Sequence, residues 1–348
     1  MQRRDFIKSA GALVLGTSLT AASASAAPAK SVKSGKGRVR FCAFADIHYF
    51  PGYWPHGNRQ FLETILDRAD REKTDFVIHL GDFAHNPVKD RDYVDVYNNF
   101  KQPTYHVLGN HDGERSTYEG MLEAFRMKSN FYHFDCNGFR FIVGDSNYFI
   151  ADGKHYRYLG YEMYRGLNDK VTSYCRLPPE QVEWLRRTID ESPHPCVFLS
   201  HASVERTNSI ENWKEIRKIF ADANRKNPGR VRMVINGHHH TDYVNVIDDI
   251  VYFDVNSASY QYYDETHDFY PPSWIKHHLN STHSIAWNDP LSAVVTLDAS
   301  GDIRIDGSES TFFMNVTPRM AERVGFKPSD RPTVPYIRDF EFHKRFGA

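Results

Sequence analysis

The sequence predicts an α/β fold in which helices cover a β-sheet, and three observations carry that prediction. Short apolar runs recur at residues 39–45, 76–80 and 104–108, each the length of a buried strand. Between the first two, Phe61, Leu62, Ile65, Leu66 and Ala69 fall on one face of a helix running from Asn58 to Glu72. Residues 90–100 predict a second helix, and the resulting β-α-β-α-β order is that of a helix-covered sheet.

The remaining elements follow in chain order. Residues 131–136 and 139–143 read as two strands joined through Asn137-Gly138, the strongest short hairpin signal. Residues 146–176 are rich in tyrosine and glycine without a period and predict a long functional loop. Pro178-Pro179-Glu180-Gln181 opens a helix through Ile189, proline being well placed in a first turn. Strands are expected at 196–200, 232–236, 243–247 and 251–255, then an aromatic insert over roughly 258–290 and a hairpin of 292–298 with 302–306. Beyond Phe312 the chain reads as a polar, proline-containing tail. No repeat and no linker divides residues 39–312, which predict one domain with an extension over 313–348.

Composition narrows the partners. Hydrophobic residues make up 41% and charged residues 25% of the 348, ordinary values for a globular chain that can bury its own core. A net charge of -1 without a basic run argues against nucleic acid or an anionic membrane surface as partner. The four cysteines have no paired metal-binding spacing; Cys42 and Cys196 sit in apolar runs as inert thiols, and a Cys136–Cys175 disulfide stays open.

The N-terminus carries an address. Arg3-Arg4-Asp5-Phe6-Ile7-Lys8 precedes a mild apolar stretch from Ala10 to Leu19 and a small-residue Ala24-Ser25-Ala26 end. That stretch is too short for a membrane span and has the build of a signal peptide over residues 1–26, with a linker over 27–38. The arginine pair resembles a twin-arginine (Tat) export signal, implying the Tat machinery as partner and a periplasmic or extracellular mature protein without a transmembrane segment. Cleavage removes three basic residues and one acidic one, taking the net charge from -1 to -3.

The chemistry lies in five motifs just past apolar strands: Asp46-Ile47-His48, Gly81-Asp82, Gly109-Asn110-His111-Asp112, Ser200-His201 and Gly237-His238-His239-His240. Ligands of helix-covered sheets gather beyond strand C-termini. Two neighbouring divalent ions need several hard oxygen and imidazole donors with one carboxylate to bridge them, and Asp and His on strand ends are short, stiff arms. The glycines before Asp82, Asn110 and His238 are expected to let the backbone turn sharply. Asp-x-His alone means little, whereas a given four-residue string such as Gly-Asn-His-Asp arises by chance in about one chain in several hundred of this length. Five motifs in order at strand ends make coincidence a poor account.

This set resembles the calcineurin-like metallophosphoesterase superfamily, with its pattern D-x-H, G-D, G-N-H-[D/E], H, G-H-x-H, over residues 39 to about 306. The resemblance implies a four-layer α/β/β/α sandwich of two packed mixed β-sheets flanked by helices. It implies two divalent metal ions (Mn, Fe or Zn), one bound by Asp46, His48, Asp82 and His240, the other by Asp82, Asn110, His201 and His238, with Asp82 bridging. His111 is then catalytic beside the phosphate, which a metal-bridging hydroxide attacks in line. His111 either protonates the leaving oxygen or stabilises phosphoryl charge. Asp112 either orients His111 or caps the following helix. Many members continue Gly-Asp-x-x-Asp, where this chain has His85. Purple acid phosphatases have tyrosine there and lack the histidine of Asp-x-His, so His48 argues against a tyrosinate-bound iron.

The function expected is hydrolysis of a small-molecule phosphate ester, as a phosphodiesterase or phosphatase. The rival is a non-catalytic metal-binding or scaffold protein of the same fold, which would usually have lost ligands that are all present here. His56, Asn58 and Arg59 are candidate substrate contacts on the loop after the first motif, although Asn58 also suits a helix cap. His79 and His106 read as hydrogen-bonded core residues, His239 as pointing away from its neighbours, and Asp145 and Asp254 as turn residues. A third metal at His277, His278 and His283 is disfavoured. Tyr148, Tyr156, Tyr158, Tyr260, Tyr262 and Tyr263 either line a pocket or pack the long loops down, the latter being favoured.

Overall fold

The computed structural model describes residues 37–51, 59–159, 166–167, 170–206, 209–263, 266–325 and 332–346. The export signal, most of the linker, His56 and Asn58 lie outside the described residues.

Twelve strands form two six-stranded mixed sheets. The first has the order Phe340–Phe342, Ile303–Asp306, Ala293–Asp298, Arg38–Phe44, Phe76–His79 and Thr104–His106. Its last three strands are parallel and the others antiparallel. The second has the order Tyr243–Ile247, Ile250–Asp254, Val231–Asn236, Cys196–Leu199, Phe139–Val143 and Tyr132–Cys136. Its four central strands are parallel, with an antiparallel strand at each edge.

Period-2 alternation divides each strand between two cores. Phe41, Ala43, Phe76 and Ile78 of the first sheet and Phe141, Val143, Val197, Leu199, Met233 and Ile235 of the second meet in the central core. Cys42, Phe44 and Val77 point the other way, onto helices Arg59–Arg71, Arg91–Asn98 and Tyr118–Ala124. On the far side Ile142, Phe198 and Val234 receive helices Pro179–Asp190 and Trp213–Lys226. The molecule is therefore an α/β/β/α sandwich.

Several expectations are corrected. The segment taken for a loop over 146–176 contains a three-stranded sheet of Tyr148–Ala151, Lys154–Arg157 and Val171–Tyr174. Its first turn is Asp152-Gly153, both residues at positive φ (49° and 70°), the hairpin chemistry also seen at Asn137-Gly138. The tail after Phe312 is not an appendage. Val316, Ala321 and Ile337 enter the central core, and Phe340–Phe342 completes the edge of the first sheet. The cysteines are all free and buried; Cys136 faces the central core and Cys175 the outer one, so no disulfide joins them. Among the described residues no helix is long and apolar enough to cross a membrane.

Candidate metal centre

The five motifs meet where parallel strands of both sheets end. Asp46 and His48 follow Arg38–Phe44, Asp82 follows Phe76–His79, and Asn110 and His111 follow Thr104–His106. His201 follows Cys196–Leu199, and His238 and His240 follow Val231–Asn236. Asp46, His48, Asp82, His238 and His240 all adopt left-handed backbone (φ 49–72°), a conformation that non-glycine residues hold at a cost of about 1–3 kcal/mol each. Alternating αL residues bring Asp46 and His48 to one side, and likewise His238 and His240. The intervening His239 turns to Ser209 Oγ at 3.0 Å.

Of the motif glycines only Gly81 needs its left-handed φ (98°). Gly109 and Gly237 are required for space: a Cβ at Gly109 would lie 2.1 Å from both Asp82 N and Oδ1, and one at Gly237 would lie 2.6 Å from Asp46 Oδ2. The expected sharp turns at these two positions are in fact close backbone approaches.

The donor atoms converge without hydrogens to share. His201 Nδ1 lies 2.7 Å from the Leu80 carbonyl, which can only accept, so Nδ1 carries the proton. Nε2 faces Asp82 Oδ2 (3.1 Å) and Asn110 Oδ1 (3.2 Å), a place for a second proton or for a cation. His240 likewise donates Nδ1–H to the Tyr260 carbonyl (2.8 Å), leaving Nε2 facing His48 Nε2 at 3.1 Å and Asp46 Oδ1 at 3.4 Å. His238 Nδ1 lies 3.1 Å from His201 Nε2. Asp46 Oδ1 is fully buried and has no hydrogen-bond partner, although Asp46 Oδ2 accepts from His238 N–H at 2.9 Å. Lone pairs facing lone pairs around an orphaned carboxylate oxygen fit cations and little else. Asp46, His48 and His240 form one compact set of donors, and Asp82, His201 and His238 another.

The electrostatics point the same way. Burial pushes His201 down, but Asp82, the hydrogen bond to it and Asp46 carry its pKa up to about 10, the signature of a site that calls for positive charge. Burial holds His48 well below its ordinary value and His238 at about 3, so both present neutral imidazoles. Burial also opposes ionisation of Asp82, yet His201 and His111 outweigh it and hold its pKa well below the usual carboxylate value.

His111 stands beside this cluster, its ring 5.0 Å from that of His48 and its N–H donating to Asp82 Oδ1 at 2.8 Å. Asp112 neither orients it nor caps a helix. Its Oδ1 accepts from the N–H groups of Phe83 (2.8 Å) and Ala84 (3.0 Å), and its Oδ2 from those of Asp82 (3.0 Å) and Gly109 (2.8 Å). The helix that follows is capped by Thr117, whose Oγ1 accepts from Gly120 N–H at 3.1 Å. The carboxylate next to His111 is Glu114, with Oε1 3.0 Å from Nδ1. Glu114 also reaches His85, which stands at the last position of Gly-Asp-x-x-Asp; for Glu114 the i, i+3 spacing from His111 was the available signal.

Arg59 turns to Glu63 (3.1 Å) and Asp92 (3.8 Å) at the surface instead of toward the cluster. Of the six tyrosines Tyr260 packs on the cluster, its ring 4.9 Å from His240 and 5.3 Å from His48. Asp145 and Asp254 are buried hubs and not turn residues: Asp145 pairs with Arg157 (2.7 Å), and Asp254 accepts from Asn236 (2.7 Å). His79 and His106 form the expected buried hydrogen-bonded pair, and His278 stacks on Trp274 away from any group of metal donors among the described residues.

Residues 39–242 match the family model described as calcineurin-like phosphoesterase, more than half of the chain. The chain belongs to this family. As a calcineurin-like phosphoesterase it is a metal-dependent phosphoric ester hydrolase. A dimetal phosphatase from Danio rerio shares the fold, with 15% identity and a TM-score of 0.52, over 79% of this chain and 98% of that one. GAP50, the anchor in the inner membrane complex of Plasmodium, is similar at 12% identity and a TM-score of 0.48 over 90% of each chain. A putative 5'-nucleotidase from Staphylococcus aureus follows at 13% identity and a TM-score of 0.42, over 79% of this chain and 54% of that one. No curated protein matches this calcineurin-like phosphoesterase in sequence.

Proposed function

We propose that this phosphoesterase is an exported dinuclear enzyme for a small-molecule phosphate ester, a diester or a monoester. Asp46, His48, Asp82 and His240 hold one divalent ion (Mn, Fe or Zn), and Asp82, Asn110, His201 and His238 hold the other. The observation that carries this reading is the convergence of bare nitrogen and oxygen lone pairs on the orphaned Asp46 Oδ1 and on Asp82 Oδ2. When bound, two such ions supply charge for the phosphoryl oxygens and lower the pKa of a shared water.

The protein's own groups do the rest. The Leu80 and Tyr260 carbonyls fix the tautomers of His201 and His240, so that Nε2 of each ring faces inward. Asp112 holds the Asp82–Ala84 and Gly109 backbones together, which sets the spacing of Asp82 and Asn110. His111, tied to Asp82 through its backbone, delivers a proton to the departing oxygen.

The leaving group tests the last step. An alkyl alkoxide needs a proton to depart, so His111→Ala is expected to cut kcat/KM for an alkyl ester about 10²–10⁴-fold. Nitrophenolate departs unaided, so the same variant should lose far less on a nitrophenyl ester. Equal losses on the two esters would assign His111 to phosphoryl charge stabilisation instead.

Export rests on the Arg3-Arg4 start. The Tat receptor reads guanidinium groups and not charge alone, so Arg3→Lys with Arg4→Lys should leave the protein in the cytoplasm. Cell fractionation checks this; undiminished mature protein outside the cytoplasm would mean another route.

A further inference from the structure

We infer that Glu114 is a positioning residue that sets the tautomers of three histidines at once: His111, His85 and, through His85, His48. Its two carboxylate oxygens serve different rings. Oε1 lies 3.0 Å from His111 Nδ1, an ion-pair contact angled off a full hydrogen bond, and Oε2 lies 3.1 Å from His85 Nδ1. The far nitrogen of His85, Nε2, lies 3.3 Å from His48 Nδ1. The three rings stand together, with centroids 5.0 Å apart for His48–His111 and His85–His111 and 5.4 Å apart for His48–His85.

Proton bookkeeping along this chain has one solution with neutral rings. An ionised carboxylate only accepts, so His85 Nδ1 and His111 Nδ1 each carry a hydrogen. His85 Nε2 is then bare and accepts from His48 Nδ1–H. That leaves His48 Nε2 bare toward Asp46 Oδ1 (3.9 Å) and Asp82 Oδ2 (3.6 Å), the direction in which a cation would lie. His111, once protonated at Nε2 as well, is the acid that serves the departing oxygen, its Nδ1–H still held by Glu114. The His85–Glu114 pair serves His48 Nδ1 as the Leu80 and Tyr260 carbonyls serve His201 and His240.

This inference rests on the proposed roles of His48 and His111, and the test separates the two. Glu114→Gln keeps the shape but offers one acceptor and one donor, so it cannot accept from both rings. With zinc bound, long-range ¹H–¹⁵N spectra of the imidazoles should show His48, His85 and His111 protonated at Nδ1 in the wild type. At least one of them should change in the variant. Metal affinity or kcat should fall about 10–100-fold, the usual cost of losing an outer-shell partner, while KM stays within about threefold. His85→Gln should weaken metal binding and leave the ratio of alkyl to nitrophenyl ester rates unchanged, because His111 keeps its contact with Glu114. Unchanged tautomers and unchanged kcat in Glu114→Gln, in an enzyme that His111→Ala does slow, would overturn the inference. An enzyme that His111→Ala does not slow would instead overturn the reading beneath it.

Discussion

Adjacency in sequence misleads at Asp112 and spacing would have served better. A carboxylate directly after His111 looks like its partner, yet the sharp backbone course after Asn110 sends the Asp112 side chain back beneath the metal loops. There, fully buried, it accepts four backbone N–H groups. Asp112→Asn keeps the volume but replaces one acceptor oxygen with an N–H2 that faces two donors. Each stranded buried donor costs about 1–3 kcal/mol, so the variant should lose about 2–6 kcal/mol of unfolding free energy. Because the same N–H groups place Asp82 and Asn110, metal affinity should fall as well. Urea unfolding with and without bound metal, alongside metal titration, checks both; wild-type values in each would show the clamp to be dispensable. The seven candidate donors stand out in the sequence because their types and order answer to one chemistry. The roles of His85, Glu114 and Tyr260 do not, since each depends on which loop lies opposite.

At the scale of elements, long periodic segments were readable and short ones were hidden by their setting. The strands of both sheets appear as apolar runs because both faces are buried in the four-layer stack. Helix Trp213–Lys226 has Ile216, Ile219, Phe220 and Ala223 on one buried face, a period that the reading from sequence passed over. The Asp152-Gly153 hairpin carried its usual turn pair, masked by its tyrosine-rich neighbours. Phe340–Phe342 gave no signal, because three residues on a sheet edge show too little alternation to recognise. Its energetic weight is nevertheless considerable. Deleting residues 336–348 removes buried Ile337 and the half-buried Phe340 and Phe342, and leaves Ile303–Asp306 as a bare edge. At about 1.5–3 kcal/mol for each well-buried apolar side chain, the loss should be about 3–6 kcal/mol. Chemical denaturation measures it, and light scattering should show association through the uncovered edge. A truncated chain as stable and monomeric as the parent would show that the C-terminal strand contributes nothing.

Across the whole molecule, the two sheets are held in register by a central core and meet again through polar groups at their C-terminal ends. Asp46, Asp82 and Asn110 come from one sheet and His201, His238 and His240 from the other. Ions held between them would therefore cross-link the halves of the sandwich as well as serve as reagents. The Nε2 atoms of His48 and His240 face each other at 3.1 Å, and five residues hold left-handed backbone, a cost that ligand bonds would offset. A ligand that binds only the folded state adds RT ln(1 + [L]/Kd), about 2.7 kcal/mol per ion at a hundredfold excess over Kd. Two ions then contribute about 5 kcal/mol, and chelation should lower Tm by roughly 10 °C. The sandwich core is independent of the ions, so the far-ultraviolet circular dichroism of the chelated protein should be unchanged below that lowered Tm. Readdition of Mn or Zn should restore the melting point, and Asp82→Asn, which removes the shared ligand, should blunt the restoration. Identical melting of chelated and metal-loaded protein would mean that the histidines and carboxylates of the two sheets do not hold ions between them.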